Sequence, residues 1–536
     1  MVHPSLPLLT ALTLTALTLT ALTLVSALTP SPDRLFSAGL KERQAGHLKA
    51  AEKAFAQAAA LNPSAANWRA LADTYVADHL FAEATAAYDQ AAQRYRQKGD
   101  TVTAQALEYL AAPYRQELSL YSFSPAGSGP SSPSGCSAAA RLEPARGLLL
   151  GTYVDELRQR QNGPIDVSPM STDDFAVYFR YWTLKRPGTG EVFPAAFAAS
   201  VRRAGGALHL ALEPGLPLSE IDDRVLLPFA EAAGKADLPI FVRFASEFND
   251  PANAWSRDPA LYRQTFRKVA KTLHRLAPNV AMVWMPMASR LDVADRYYPG
   301  ADAVDWVGVS LYSVPYPNGH LAPAVDTSNP LSALRPFYDR YSCRHPFQVS
   351  EYASSSRSGA APAVDFTPFA VARMREMYWG AALTMPRLKN INWLDIDGTS
   401  SRFVITKTAE RRNDYRLFNV PAKVDVLRGL RSEPVFLKRW PEPGPALPLT
   451  VPLPFPSVVR AGQPVRGAMW LKTFQPAAQV EIRLDGMTVS VEKSLPYRFT
   501  LPAARLTPGA HTLSVRAQGT AGNILLSETR TVTARP

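Results

Sequence analysis

From residue 146 to residue 432, short apolar runs alternate with longer mixed stretches. The runs are LLLGTYV (148–154), FAVYFRYW (175–182), ALHLALEP (207–214), PIFVRFASE (239–247), VAMVWMPM (280–287), DWVGVSLY (305–312), PFQVSEYA (346–353) and INWLDID (391–397). Between them, LYRQTFRKVAKTLHRLAP (261–278) and PFAVARMREMYWGAAL (368–383) read as helices. Strands alternating with helices predict a parallel sheet with crossover connections. Eight such units in about 290 residues predict a closed (β/α)8 TIM barrel rather than an open doubly wound sheet. The open sheet is further disfavoured because no glycine-rich phosphate loop follows the first run.

The pattern differs on either side of this region. Over 33–118 it is helical, alanine-rich and repetitive. GHLKAAEKAFAQAAALNP (46–63) aligns with HLFAEATAAYDQAA (79–92), so that Ala51 matches Ala84, Phe55 matches Tyr88 and Ala58 matches Ala91. Small residues at fixed helical positions let neighbouring helices approach, and the larger residues fill the gaps between them. With the Asn62-Pro63 stop, the segment resembles tetratricopeptide repeats, which bind proteins or act as adaptors. Beyond the barrel, VRGAMWLK (465–472), QVEIRLDGMTVSVE (479–492), YRFTLP (497–502), HTLSVRAQ (511–518) and LLSETRTVTA (525–534) alternate with period two between turn residues. They predict a small β-sandwich with a hairpin at Asp485-Gly486. It resembles a bacterial Ig-like module without the antibody disulfide.

The expected organisation has six parts. Residues 1–29 form a signal peptide or membrane anchor, 30–120 the repeats, and 121–143 a Ser/Gly/Pro linker. Residues 144–435 form the barrel, 436–456 a proline-rich linker, and 457–536 the sandwich. The first part rests on the uncharged stretch LPLLTALTLTALTLTALTLVSA (6–27), which ends in small residues suited to cleavage. An extracytoplasmic protein follows, whether secreted, periplasmic or anchored at the envelope.

Composition adds limits. At 536 residues the chain is too long for one core. Its 46% hydrophobic and 19% charged residues exclude wholesale disorder. The net charge of +12 arises from scattered Lys and Arg without a basic stripe, so no nucleic-acid partner is expected. The eight histidines are dispersed, with no HExxH; no Walker loop and no GxSxG elbow occur. Neither metal nor cofactor is expected, and His209 reads as a buried, hydrogen-bonded residue.

Chemistry in such a barrel gathers at the C-terminal strand ends. These ends carry Asp155, Glu213, Glu247, Glu351, Asp395 and Asp397. The fourth and seventh strands end alike, in SEF (246–248) and SEY (350–352). Alternation places Arg243, Ala245 and Glu247 on one face of the fourth strand, and Val349 and Glu351 on one face of the seventh. If both faces point inward, two carboxylates oppose each other across the mouth. That pair suits glycoside hydrolysis, in which one carboxyl donates a proton to the leaving oxygen and the other attacks the anomeric carbon. A single glutamate at a strand end is ordinarily a solvated rim residue; the matched pair on a barrel frame is what raises the catalytic reading.

A resemblance extends this reading. PIFVRFASEFNDPANAW (239–255) is similar to the fourth-strand signature of glycoside hydrolase family 26: Arg, two residues, His-Glu, one residue, Asn, then a tryptophan in the next loop. LYRQTFRKVA (261–270), PNVAMVWMP (278–286), YYPGADAVDWVGVSLY (297–312) and FQVSEYASS (347–355) follow in the family's order, so that residues 146–418 resemble its catalytic domain. The resemblance implies retaining cleavage of β-mannan, or in some members of β-glucan or xylan. It implies Glu247 as acid/base, Glu351 as nucleophile and Tyr312 as hydrogen-bond donor to the nucleophile. Trp255 and Trp393 would offer flat faces to sugar rings, with core packing an equal alternative for Trp393. Arg243 and Asn249 would organise the substrate-binding site. Ser246 stands where the family carries histidine, which leaves the polymer open. A barrel that binds polysaccharide without cutting it, as the scaffold of an envelope or exopolysaccharide assembly complex, is the alternative; a transglycosylase with the same carboxylates is another. Cys136 and Cys343, each just before a barrel strand, are expected near the N-terminal face, where a disulfide would tie the linker to the barrel base.

Overall fold

A computed structural model describes residues 30–124, 136, 139–153, 175–317, 329–399, 408–440 and 451–536. The N-terminal apolar segment, most of the Ser/Gly/Pro linker and Asp155 lie outside the described residues. Among the described residues, no helix is long and apolar enough to cross a membrane. The chain divides into two compact units between Arg115 and Gln116.

The first unit is helical: α1 (Pro32–Gln44), α2 (Leu48–Leu61), α3 (Ala65–Ala77), α4 (Phe81–Gln97) and α5 (Thr101–Ala111). The residues matched at the repeat offset are all buried, Ala51, Phe55 and Ala58 in α2 and Ala84, Tyr88 and Ala91 in α4. Helix α2 ends at Leu61, immediately before Asn62-Pro63, because proline cannot donate the next helical hydrogen bond. Ser64 then caps α3 by accepting from the Asn67 amide at 3.2 Å.

The second unit opens with β1 (Glu117–Ser124), which spans the expected boundary between repeats and linker. Its alternating ELSLYSFS suits a half-buried strand. The barrel follows, with β2 (Leu148–Tyr153), β3 (Val177–Leu184), β4 (Ala207–Pro214), β5 (Ile240–Phe244), β6 (Val280–Trp284), β7 (Trp306–Ser313), β8 (Phe347–Ser354), a two-residue β9 (Arg357–Ser358) and β10 (Leu388–Trp393). Strands β2 to β8 pair in parallel in sequence order, β10 joins β8, and β10 pairs back to β2 through Asn390↔Leu149 to Trp393↔Thr152. The sheet is therefore a closed eight-stranded parallel barrel. A short β11 (Asn413–Asp414) pairs with β9, and β12 (Phe436–Leu437) adds to the start of β2.

The crossover helices are α6 (Ala195–Arg203), α7 (Asp223–Lys235), α8 (Pro259–Leu276), the single turn α9 (Leu291–Ala294), α10 (Pro330–Tyr341), α11 (Thr367–Thr384) and α12 (Pro421–Arg431). In α8, Asp258 caps the amides of Ala260 and Leu261 at 2.8 and 3.0 Å, Pro259 occupies the first turn, and Tyr262, Phe266, Val269, Ala270 and Leu273 form the buried stripe.

At the N-terminal end of the barrel, Cys136 and Cys343 are disulfide-bonded with their Cα atoms 4.6 Å apart. The buried Arg387, just before β10, donates to the Cys343 carbonyl at 3.1 Å and pairs with Glu143 at 2.9 Å. The Trp306 indole donates to the Arg141 carbonyl at 2.7 Å. The segment entering β2 is thus fastened across the barrel floor.

The C-terminal strands form two sheets. One has the order β13 (Val451–Pro454), β1, β15 (Val465–Lys472), β18 (Phe499–Leu501). The other combines β14 (Val458–Arg460), β20 (Ile524–Arg535), β19 (Gly509–Gln518), β16 (Gln479–Leu484) and β17 (Met487–Glu492). Both sheets contribute to one apolar core, including Met469 and Leu501 from the first and Ile482 and Val515 from the second. The expected linkers are corrected at their ends. Residues 121–124 and 451–454 pair with each other as strands, and 436–437 pair with the barrel. Proline is tolerated at 452 and 454 because β13 is an edge strand.

These sheets are packed onto the barrel. Trp470 on β15 belongs to the barrel's own apolar cluster. A Cβ at Gly380 of α11 would fall 2.7 Å from its indole, so only glycine permits that approach. Lys472 donates to Ser332 Oγ of α10 at 2.8 Å, and Glu117 accepts from the Trp470 indole at 2.8 Å.

Candidate active site

Strand β5 ends earlier than the alternation predicts, at Phe244. Ala245 and Glu247 then adopt left-handed backbone conformations, at φ 47° and 52°. Such conformations cost a non-glycine residue about 1–2 kcal/mol each. They are held by the Ala245 amide donating to the Leu212 carbonyl at 3.1 Å and the Glu247 amide donating to Met285 at 2.8 Å. Glu247 therefore reaches the mouth through a strained turn rather than along a continued strand. On β8 the register against β7 shifts from Val309↔Val349 to Ser310↔Glu351, leaving Ser350 as an extra residue. This bulge re-aims the seventh strand at the position that presents its glutamate.

Glu351 is 4% exposed and surrounded by donors. Its Oε1 lies 2.5 Å from the Arg243 guanidinium and accepts from the Tyr181 hydroxyl at 2.7 Å, while Oε2 accepts from Tyr312. Burial, and next the Glu351 charge, push both phenols well above their ordinary range, so they remain protonated and donate. Arg243 itself is 1% exposed, with its guanidinium 5.0 Å from the Phe179 ring and 5.5 Å from the Tyr181 ring.

Glu247 has a different environment. Burial, then the neighbouring Glu351, push its carboxyl up to about 7, while a hydrogen bond from Ser310 Oγ at 2.5 Å opposes that rise. One carboxyl thus keeps its proton near neutrality beside another surrounded by a guanidinium and two phenols.

The remaining expected residues separate into groups. Tyr312, stacked on Tyr415 at 5.2 Å, is at the site. Asn249 is buried; it donates to the Met287 and Ser289 carbonyls at 3.2 and 2.6 Å and accepts from the Met287 amide at 2.8 Å. It fixes the loop after β6, and its amide is spent on backbone rather than offered to a sugar. Trp255 is half-buried, with its indole donating to the Ser246 carbonyl at 2.7 Å. Trp393 is fully buried, donates to the Tyr415 carbonyl at 2.9 Å and packs edge-to-face on Tyr352. It has no exposed face for a sugar ring; of its two readings, core packing is the one the structure shows. Asp395 accepts from the Leu417 amide at 2.6 Å and Asp397 from that of Thr399 at 3.0 Å, so both hold the loop after β10. His209 is fully buried with Gln348 at 3.4 Å, and burial holds it well below its ordinary pKa.

Tyr181, Ser310 and the setting of Glu213 were not singled out from sequence. The available signal was alternation: Tyr181 lies two positions beyond Phe179 on β3, and Ser310 two before Tyr312 on β7. Glu213 of β4 accepts from the Ser246 hydroxyl and lies 3.9 Å from the Arg243 guanidinium.

Barrel and site together define a (β/α)8 protein with a carboxylate pair at the C-terminal mouth. No family model matches the chain. Two curated proteins match short stretches. A β-1,3-xylanase of a Vibrio species is 35% identical over 86 residues (15% of this chain, 18% of the relative). One from an Alcaligenes species is 32% identical over 89 residues (16% and 18%). The chain thus spans less than a fifth of the length of these relatives. Among solved structures, a modular endo-β-1,4-mannanase from Cellulomonas fimi aligns over 74% of this chain and 96% of its own, at 17% identity and a TM-score of 0.37.

Proposed function

We propose that this protein is a retaining endo-β-glycanase in which Glu247 is the acid/base and Glu351 the nucleophile. The observation that carries the proposal is the asymmetry of the pair. Glu247 holds a proton up to about pH 7, and Glu351 is ion-paired with Arg243 and accepts from Tyr181 and Tyr312. In the first step Glu247 protonates the glycosidic oxygen while Glu351 attacks the anomeric carbon, forming a glycosyl-enzyme. In the second, ionised Glu247 takes a proton from the water that releases the sugar. Support for a sugar polymer as substrate comes from this geometry and from the xylanase stretches. β-1,3-Xylan and β-mannan head the candidates, the latter through the fourth- and seventh-strand sequences. We read the helical unit as a tetratricopeptide-like adaptor and the C-terminal sheets as an Ig-like module of an exported, envelope-associated enzyme.

An aryl β-glycoside with an acidic phenol as leaving group tests the roles, since that phenol needs no protonation. Glu247→Ala should lose polymer cleavage yet keep measurable first-step turnover of the aryl glycoside, whereas Glu351→Ala should lose both. Proton NMR of the fresh product should show the β-anomer first. Prompt α-anomer would mean inversion and refute Glu351 as nucleophile.

A further inference from the structure

Among the described residues Arg243 has two carboxylate neighbours, and only Glu351 has a role in the proposed reaction. One guanidinium nitrogen lies 2.5 Å from Glu351 Oε1, and the other terminal nitrogen lies 3.9 Å from Glu213 Oε1. Its Nε has no hydrogen-bond partner among the described residues. A flat guanidinium held by one ion pair and a ring face keeps freedom to turn about that contact; a second carboxylate at its far nitrogen removes the freedom.

Glu213 is itself anchored. It follows Leu212, which pairs with Phe244 across β4 and β5. The left-handed turn at Ala245 then brings Ser246, from the neighbouring strand end, onto the same Oε1 as a donor. Ser246 is 4% exposed, so that bond is shielded from competing water. Among the described residues, the other groups around the pair add no second cation. His209, further down β4, is kept neutral by burial, Tyr181 and Tyr312 are protonated donors, and Tyr262 of α8, a phenol within the field of Glu213, is fully buried.

We propose that Glu213, fixed by Ser246, is a positioning residue of this site: it is the second anchor of Arg243 and holds the guanidinium against Glu351. The proposal rests on the reading of Glu351 as nucleophile only for its kinetic consequence; its structural content stands apart. Burial raises the Glu213 carboxyl, and Arg243 and the Ser246 hydroxyl oppose that rise; in its ionised form the anchor also adds negative charge beside Glu247 and so helps that group retain its proton.

The test uses Glu213→Gln, which preserves length and leaves an amide oxygen for Ser246, and Ser246→Ala as a milder second variant. Crystal structures of the full chain come first. Arg243 turned away from Glu351 in Glu213→Gln, but in place in wild type, is the expected result. Arg243 unmoved in the variant overturns the proposal, whether or not any substrate is cleaved. On the best aryl β-glycoside, Glu213→Gln should lose about 10- to 100-fold in kcat with KM within about two-fold. Its alkaline limb should move to lower pH, because a negative neighbour of Glu247 has gone. Ser246→Ala should show a smaller loss of the same kind. A rise in KM with kcat unchanged would instead make Glu213 a substrate contact and overturn the positioning role. A wild type that cleaves nothing would defeat the glycanase reading, and the crystallographic comparison would still decide the role of Glu213.

Discussion

Glu247 and Glu351 have the same side chain, and the opposite roles proposed for them rest on their different neighbours. With Glu247 as the proposed acid, kcat/KM should fall about ten-fold per pH unit above its carboxyl value, which burial pushes up to about 7. Ser310 favours the ionised form, so Ser310→Ala should move that limb upward; a limb that stays put would show that the hydroxyl does not tune Glu247. Stability has its own sign. A carboxyl raised from 4.5 to about 7 on folding contributes fully below 4.5 and loses that contribution as pH rises through 7. Glu247→Gln should therefore melt higher than wild type at pH 8 and close to it at pH 4, in a thermal scan at both values. The two glutamates were legible in sequence because SEF and SEY repeat at matched strand ends. Tyr181 was harder to find, since a tyrosine on an apolar strand looks like core until the partner of its hydroxyl is known. Trp393 was ambiguous, because strand period gives the face of the sheet but not what covers that face.

At the scale of elements, all eight barrel strands were legible as apolar runs, because strands buried on both faces carry near-continuous hydrophobic sequence. Their ends were less so: β5 stops at Phe244 although FVRFASE continues an apolar pattern, since the left-handed turns at Ala245 and Glu247 leave no signature in residue type. Strand β1 was hidden for another reason. Its partners, β13 and β15, lie more than 300 residues away in sequence, and only β15 had a visible strand pattern. These pairings attach the C-terminal sheets to α10 and α11 through Trp470, Gly380 and Lys472. Trp470→Ala should cost about 3–5 kcal/mol, read as a lower urea midpoint. Gly380→Val, which places a side chain against the Trp470 indole, should also destabilise. An unchanged midpoint in both would mean that the sheets ride loosely on the barrel.

For the whole molecule, the disulfide closes a long loop: Cys136 and Cys343 are separated by 207 residues. Loop closure of that length is worth about 5 kcal/mol in the chain-entropy model. Cys343→Ser should lower the melting temperature by several degrees, and non-reducing peptide mapping of native protein should recover the linked pair. Two free thiols would remove the bond. The division into helices, barrel and C-terminal sheets followed from three different periodicities along the chain, whereas the polymer did not follow, because sugar identity depends on side chains around the carboxylates rather than on the pair itself. Cleavage of a β-linked polymer by Glu247 and Glu351 can be measured outright. Reducing-end release from β-1,3-xylan, β-1,4-xylan, β-mannan, β-glucan and bacterial exopolysaccharides, with wild type beside Glu247→Ala and Glu351→Ala, tests it most directly. The proposed cleavage requires release from at least one polymer by wild type and none by either variant. Binding without release in all three proteins would contradict it, and would make the barrel a polysaccharide-binding scaffold.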